Sequence, residues 1–179
     1  MDDMMPVMRR ATEQTANLVR GVRDEQLGLP TPCEKFDVKD LISHIEWVAE
    51  MFESLARKGP RTVQGPYAGD FPERAERMLA AWSKPEAWEG TSDMGLPMAT
   101  LPELWLVDMV VHGWDLATAT GQEYEPDAEA VARAKRFSDQ MVEMGRQRGA
   151  FGPPVAVPDD APPFARLLGL IGRDPAWTP

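Results

Sequence analysis

The only two histidines of the chain, His44 and His112, both fall on the apolar faces of segments with helical periodicity. A histidine on such a face is most often a hydrogen-bonded core residue, because a buried imidazole needs a polar partner. Asp108 changes this interpretation, since it lies one helical turn before His112 and directs a carboxylate to the same face. One divalent cation would satisfy all three inward polar groups at once. The pattern therefore indicates a metal site formed by His44, Asp108 and His112.

Two imidazoles and one carboxylate are a ligand set used by catalytic zinc and by non-haem iron. Structural zinc sites normally have four protein ligands, whereas three leave a position for water or substrate. Asp115, three residues after His112, could be a fourth ligand, but we favour a hydrogen-bonding role behind the ligands or at the helix end. The predicted chemistry is therefore activation of a bound water or thiol, whose pKa a metal lowers.

Two alternatives to a catalytic metal remain open at this point. The ion could only tether helices, in a metal- or small-ligand-binding bundle without turnover. Alternatively, no metal binds, and the carboxylate orients the two imidazoles in a buried hydrogen-bonded network. The single cysteine, Cys33, excludes an intrachain disulfide and a multi-cysteine zinc site. We interpret Cys33 as a structural residue rather than a nucleophile.

Several aromatic and basic residues lie near the predicted ligands or in the C-terminal part of the chain. Trp47, Trp105 and Trp114 flank the ligands in sequence, and we expect them to belong to the core rather than to a pocket wall. Arg166 and Arg173 could reach an anionic ligand, but isolated arginines are usually solvated. We therefore do not include either arginine among the site residues.

Apolar periodicity interrupted by proline and glycine predicts an all-α chain with four principal helices, long connections and a short C-terminal helix. Residues 84–100 are expected to be loop-like, and the prolines of residues 151–163 to keep them extended or irregular. The spacing and the capping residues predict helices over residues 5–23, from an N-cap at Asp37 to about residue 58, over 71–83, from 102 to 121, from an N-cap at Asp127 to about 149, and over 164–172.

Length and composition limit the classes of protein to consider. A chain of 179 residues with 43% hydrophobic content predicts one domain over residues 1–179. A formal net charge of -10 argues against nucleic acid and anionic membranes as partners. The apolar runs are too short to span a bilayer, and the N-terminal segment Met1-Asp2-Asp3 carries two acidic residues where a signal peptide is basic. We expect a cytoplasmic protein without a membrane anchor.

Several motifs resemble those of a known family. They are Thr31-Pro32-Cys33, the Asp-Leu-Ile-Ser-His segment of residues 40–44, the His-Gly-Trp-Asp-Leu-Ala segment of residues 112–117, and the tail of residues 166–177 with its Gly-Arg-Asp-Pro-Ala-Trp ending. Over essentially its full length the chain resembles the DinB-like metalloprotein superfamily. The branch it is most similar to is that of the N-terminal domain of mycothiol-dependent maleylpyruvate isomerase. The resemblance implies a DinB-like four-helix bundle.

The resemblance also implies a ligand set. In that family a histidine on the second helix, and a carboxylate and a histidine four residues apart on a later helix, hold the metal. These positions match His44, Asp108 and His112. The isomerase carries glutamate where this chain has the shorter Asp108, and we expect no counterpart here of the isomerase's additional C-terminal domain. The isomerase activity is therefore not transferred directly.

The function implied by the resemblance is activation of a low-molecular-weight thiol such as mycothiol by a divalent metal. Zinc is the expected ion, with nickel and iron as alternatives. The chain would then be a zinc-dependent thiol S-transferase or a maleylpyruvate isomerase-like enzyme. Its expected partners are a small thiol and an electrophilic substrate, and a homodimer is left open.

Overall fold

A computed structural model describes residues 4–179, and every regular element within that range is helical. The connections contain only short 3-10 turns and two isolated β-bridges. The predicted all-α class, with long connections and a short C-terminal helix, is confirmed. The helices are α1 (Met4–Arg20), α2 (Val38–Ala56), α3 (Phe71–Trp82), α4 (Leu101–Thr120), α5 (Ala128–Gln147) and α6 (Pro163–Ile171).

Helices α1, α3, α2 and α4 form a closed ring around the core. Within the ring α1 packs on α3 and α4, and α2 packs on the same two helices. Helix α5 lies against α4 and α1, and α6 packs on α5. Fourteen of the twenty residues of α4 are buried, as expected for a helix covered on several sides. The chain thus forms the expected four-helix bundle, with α5 and α6 added next to α4.

Helices α2 and α4 run in opposite directions where they meet. The rings of His44 and His112 are 5.0 Å apart between centroids, and those of Phe52 and Trp105 are 5.3 Å apart. Residues later in α2 therefore lie opposite residues earlier in α4. This arrangement places residues on the inward faces of two different helices opposite each other.

The helix ends follow the predicted capping chemistry. The Asp37 carboxylate accepts a hydrogen bond from Asp40 N at 2.8 Å, and that of Asp127 accepts one from Ala130 N at 2.9 Å. Helix α4 ends at Gly121, whose φ of 70° is the left-handed conformation that glycine adopts without a steric penalty. The local sequence thus fixes where α2 and α4 begin or end, and with them the positions of the candidate ligands.

No helix within residues 4–179 is long and apolar enough to cross a membrane. The N-terminal residues 1–3, whose two aspartates support part of the localisation expectation, lie outside the described residues. The predictions of a single domain over residues 1–179 and of a cytoplasmic location stay predictions.

A buried glutamate holds the connection between α2 and α3 against α2. Glu46 is 1% exposed, and its two carboxylate oxygens accept hydrogen bonds from Ala68 N at 3.0 Å and from Asp70 N at 2.9 Å. Asp70 directly precedes α3. Glu46 therefore fixes the end of the connection and the start of the next helix.

Replacing Glu46 with alanine should lower the free energy of unfolding by about 2 kcal/mol, because two backbone donors lose their acceptor. Chemical denaturation measures this loss. Glu50→Ala is the matched control on the same helix, since it removes only a partly exposed ion pair with Arg74 and should cost under about 1 kcal/mol. Equal losses in the two variants would contradict the role of Glu46.

Candidate metal centre

His44 lies on the face of α2 that meets α4. The ring of Phe36 stacks on it at a centroid distance of 5.0 Å, and the ring of Trp47, one turn further along α2, lies at 5.8 Å. Neither ring nitrogen of His44 makes a hydrogen bond to any part of the chain that the structure describes. Burial, with the neighbouring His112 and Arg173, lowers the pKa of His44 to about 3. The imidazole is therefore neutral at physiological pH, which is the form that binds metals.

Asp108 and His112 lie one turn apart on the facing side of α4. Asp108 Oδ1 is 3.7 Å from His112 Nε2, which is too long for a hydrogen bond. Burial raises the pKa of Asp108 to about 6, and His112 opposes this shift. Together with His44 these residues place one ligand atom each within 4.8 Å of one another. The structure thus brings together all three residues that the sequence singles out.

His112 is oriented from behind by Asp115. Its Nδ1 lies 3.0 Å from Asp115 Oδ2, and Asp115 is fully buried. Because a carboxylate only accepts hydrogen bonds, Nδ1 carries the proton and Nε2 presents its lone pair towards Asp108 and His44. Such a carboxylate behind a histidine is the usual support of a metal ligand. Asp115 has the hydrogen-bonding role favoured from the sequence and is not part of the ligand cluster.

Arg173 completes this arrangement, and the expectation that it is solvated is wrong. Its Nε donates to Asp115 Oδ1 at 2.8 Å and its Nη2 to Asp115 Oδ2 at 3.0 Å, and the residue is buried. The chain turns back towards α4 directly after α6 at Gly172, whose φ is 91°. A buried aspartate needs a countercharge, which is why this arginine is not solvated. Arg166 is exposed, as expected.

The three tryptophans have different environments. Trp105 is fully buried and donates from Nε1 to Thr12 Oγ1 at 2.9 Å, so it is the core residue expected. Trp114 is half-buried against the core. Trp47 also packs on the core, but it contacts His44 and lines a cleft on α2, so the prediction that it is only a core residue is incomplete.

The loop before α2 delivers Phe36 to His44. Thr31 Oγ1 donates to Phe36 O at 2.8 Å and accepts from Cys33 N at 3.2 Å, which closes the loop into a compact turn. Cys33 is buried, and burial raises the pKa of its thiol although the charge of Arg173 opposes the shift. The thiol is therefore held in its unreactive form, in agreement with a structural role. Phe36 itself was not among the residues predicted to belong to the site.

Comparison with known proteins identifies the family. The family described as "Mycothiol maleylpyruvate isomerase N-terminal domain" matches residues 8–71, which include α1, α2 and His44. Two uncharacterized proteins from Mycobacterium tuberculosis strains CDC 1551 and H37Rv are each 31% identical over 187 residues, covering 97% of this chain and 98% of each relative. The chain belongs to the mycothiol maleylpyruvate isomerase N-terminal domain family. No solved structure matches it.

Family membership confirms the resemblance seen in the sequence motifs, but the matched region ends before α4. It therefore includes only His44 of the three candidate ligands. Asp108 and His112 rest on the geometry and chemistry of the site. Within residues 4–179, the Asp108 carboxylate and the His44 ring make no hydrogen bonds, and both side chains are only half-buried. This donor set fits a divalent cation with an open coordination position. It consists of a neutral imidazole, a second imidazole whose tautomer is fixed, and a carboxylate without a hydrogen-bond partner.

Asp108→Asn should make the metal-free protein more stable at neutral pH, because it removes a carboxylate whose ionisation burial disfavours. The pKa of Asp108 rises from 3.8 to about 6 on folding, so its ionisation costs no stability below pH 4 and its full cost above about pH 6. The full difference is on the order of 3 kcal/mol. Urea denaturation with a chelator present, at pH 4 and pH 7.5, measures it. A variant that is no more stable than the wild type at pH 7.5 contradicts the burial argument.

Asp115→Asn should weaken metal binding by roughly 10- to 100-fold, because the amide no longer holds His112 in the required tautomer and orientation. Competition with a metal-sensitive dye measures the affinity. Arg136→Gln, which breaks an exposed ion pair with Glu103 on the bundle surface, is the control and should leave the affinity unchanged. An unchanged affinity in the Asp115 variant would show that His112 needs no support from behind.

Proposed function

We propose that the protein is a metal-dependent enzyme that activates a low-molecular-weight thiol, such as mycothiol, towards an electrophile. His44, Asp108 and His112 would hold one divalent cation, zinc by preference and nickel or iron as alternatives. The observation that carries this proposal is the approach of three ligand atoms to within 4.8 Å of one another, with His44 and Asp108 only partly buried. Membership of the mycothiol maleylpyruvate isomerase N-terminal domain family supports the choice of thiol.

The residues of the chain prepare the site before any ligand arrives. His44 is neutral, and its ring lies next to the rings of Phe36 and Trp47. Asp115 keeps the proton of His112 on Nδ1, so that Nε2 is free to coordinate. When bound, the cation supplies positive charge that lowers the pKa of a thiol next to it. The three ligand side chains are therefore already positioned for an ion, and the helices of the bundle need not move.

The proposed reaction balances with the thiol and the electrophile alone. The S–H bond breaks and its proton leaves to solvent, and a sulfur electron pair forms a C–S bond to an electrophilic carbon. In S-transfer the leaving group departs with the electron pair of its own bond. In thiol-assisted isomerisation the C–S bond forms as the π bond of a conjugated C=C group breaks, and that electron pair moves onto the conjugated carbonyl. After rotation about the resulting single bond, the electron pair returns to re-form the C=C bond, the C–S bond breaks, and the thiolate takes a proton from solvent to give back the thiol.

Cobalt substitution tests the metal and the thiol together. Protein loaded with Co²⁺ should bind one ion per chain, and adding mycothiol should produce the near-ultraviolet charge-transfer absorption of a cobalt–thiolate bond. Cys33→Ser should keep this band, because the buried Cys33 is not the sulfur involved. His44→Ala should lose most of the metal affinity and with it the band.

Three results would decide against parts of the proposal. Protein without stoichiometric metal, and without affinity for zinc or nickel, would leave His44, Asp108 and His112 as a polar cluster that holds no ion. Metal binding without a thiolate band would remove the thiol from the mechanism. A band without turnover, when metal-loaded protein and thiol are screened against electrophiles, would favour the non-catalytic binding protein.

A further inference from the structure

Arg173 and Asp115 form an ion pair directly behind the candidate metal centre. The carboxylate has no exposed surface, and the arginine side chain is 10% exposed. Nε and Nη2 of Arg173 donate to the two oxygens of Asp115, and one of these oxygens also lies 3.0 Å from Nδ1 of His112. One of the three candidate ligands is therefore hydrogen-bonded to a pair whose two charges cancel.

The charges of this pair act on the metal centre with little screening. Water and salt screen charges at the surface, whereas a buried pair is largely removed from both. The charge of Arg173 also acts on His44 on the other helix, where it helps to lower the pKa of the imidazole. Lys35 and Glu34 act on this region too, but both are exposed and their charges are opposite. Solvent therefore screens these two residues far more than it screens Arg173 and Asp115.

The net charge of a centre that holds a cation depends on whether this pair is neutral. A divalent cation brings two positive charges, and the two histidines bind it as neutral ligands. The Asp108 carboxylate, once ionised, removes one of these charges. Because Arg173 cancels the charge of Asp115, one positive charge is left at the open position. Without Arg173, the charge of Asp115 would cancel that remaining charge.

We propose that Arg173 is a specificity-determining residue that makes the metal centre prefer a monoanionic ligand, such as a thiolate, over a neutral one. It acts by cancelling the charge of Asp115 and needs no contact with the incoming ligand. The inference rests on the proposed function, because it requires a divalent cation held by His44, Asp108 and His112. It adds to that function the residue that selects the charge of the incoming ligand.

Titration of Co²⁺-loaded protein with azide and with imidazole tests this preference without mycothiol. Both probes are small and change the visible absorption of bound cobalt, but at mildly alkaline pH azide is a monoanion and imidazole is neutral. The quantity measured is the ratio of the azide affinity to the imidazole affinity in protein saturated with Co²⁺. General changes in the shape of the site affect both affinities and largely cancel in this ratio.

The two single variants of the pair should change this ratio in opposite directions. Arg173→Met leaves the negative charge of Asp115 uncompensated and should lower the ratio roughly tenfold, as expected for a unit charge about 10 Å away inside a protein. Asp115→Asn leaves the positive charge of Arg173 uncompensated and should raise the ratio by a similar factor. A purely structural role of the pair would change the ratio in the same direction in both variants.

A double variant separates the charges from the support that they give. Asp115→Asn combined with Arg173→Met carries neither charge and should return close to the wild-type ratio. If Arg173→Met alone does not fold, the fall in the ratio from Asp115→Asn to the double variant measures the same charge effect. Arg173→Lys keeps the charge but not the paired hydrogen bonds, and it should stay close to the wild-type ratio.

Arg146→Gln is the control for loss of a positive charge from the same part of the chain. Arg146 holds the C-terminal helix by donating to Leu170 O at 2.7 Å and to Gly152 O at 3.2 Å, and its ion pair is with Glu143. This variant should leave the ratio of affinities unchanged.

The outcomes distinguish this inference from the proposed function. Ratios that are unchanged, or that move in the same direction in Arg173→Met and Asp115→Asn, overturn the inference and leave the proposed function standing. Protein that binds no Co²⁺ overturns both, because Arg173 then has no ion to act on. The expected ratios without a cobalt–thiolate band on adding mycothiol support the role of Arg173 and count against mycothiol alone.

Discussion

The negative charge of Asp115, buried in the middle of the bundle, is the constraint on which the candidate metal centre depends. A charge in that position is stable only if other groups compensate it within hydrogen-bonding distance. His112 provides one such group on the same helix, and Arg173 provides two hydrogen bonds from the far end of the chain. The residues after α6 therefore return to α4 because the buried charge of Asp115 needs the positive charge of Arg173. The same requirement fixes which nitrogen of His112 faces the other two ligands.

The position of α4 explains why the site lies where it does. This helix packs against α1 and α2 within the ring, and it also packs against α5. A helix buried on most sides has little freedom to rotate or slide, so residues on it are held at fixed positions. His44 comes from α2, which runs antiparallel to α4 at this point. The three candidate ligands thus belong to a rigid pair of helices, whereas the cleft beside them is closed partly by the 60–65 connection.

Much of the fold could be predicted from the sequence because its signals are local. Helix periodicity, the aspartate caps and the glycine and proline stops place all six helices to within a few residues. Local periodicity also places His44, Asp108 and His112 on inward faces. The role of Arg173 could not be predicted in this way, since its partner Asp115 is 58 residues away in sequence. Its isolated position gave no sign of a buried countercharge.

The contacts of aromatic rings with His44 were equally hard to predict. Phe36 reaches His44 only because hydrogen bonds of Thr31 shape a loop between two helices, and loop conformation has no periodic signal. For Trp47 the helical position was correct, but the spacing alone does not distinguish a core face from a cleft wall. That distinction depends on where the connection after α2 runs, which is set by Ser54, Ser43 and Glu46 together.

The turn at Gly172 positions Arg173 next to Asp115, so the candidate metal centre also depends on backbone contacts outside it. A Cβ atom added there would lie 2.7 Å from the Cα atom of Gly152, so two backbone segments touch where neither has a side chain. A larger residue at Gly172 would push these two segments apart and move the residues that follow α6, whereas a Cβ at Gly152 would meet only ordinary contacts, the nearest at 3.5 Å. Natural variation at Gly172 should therefore be as restricted as variation at a ligand, although the residue has no functional group. A survey of mutations that inspected only the residues around the cation would miss this position.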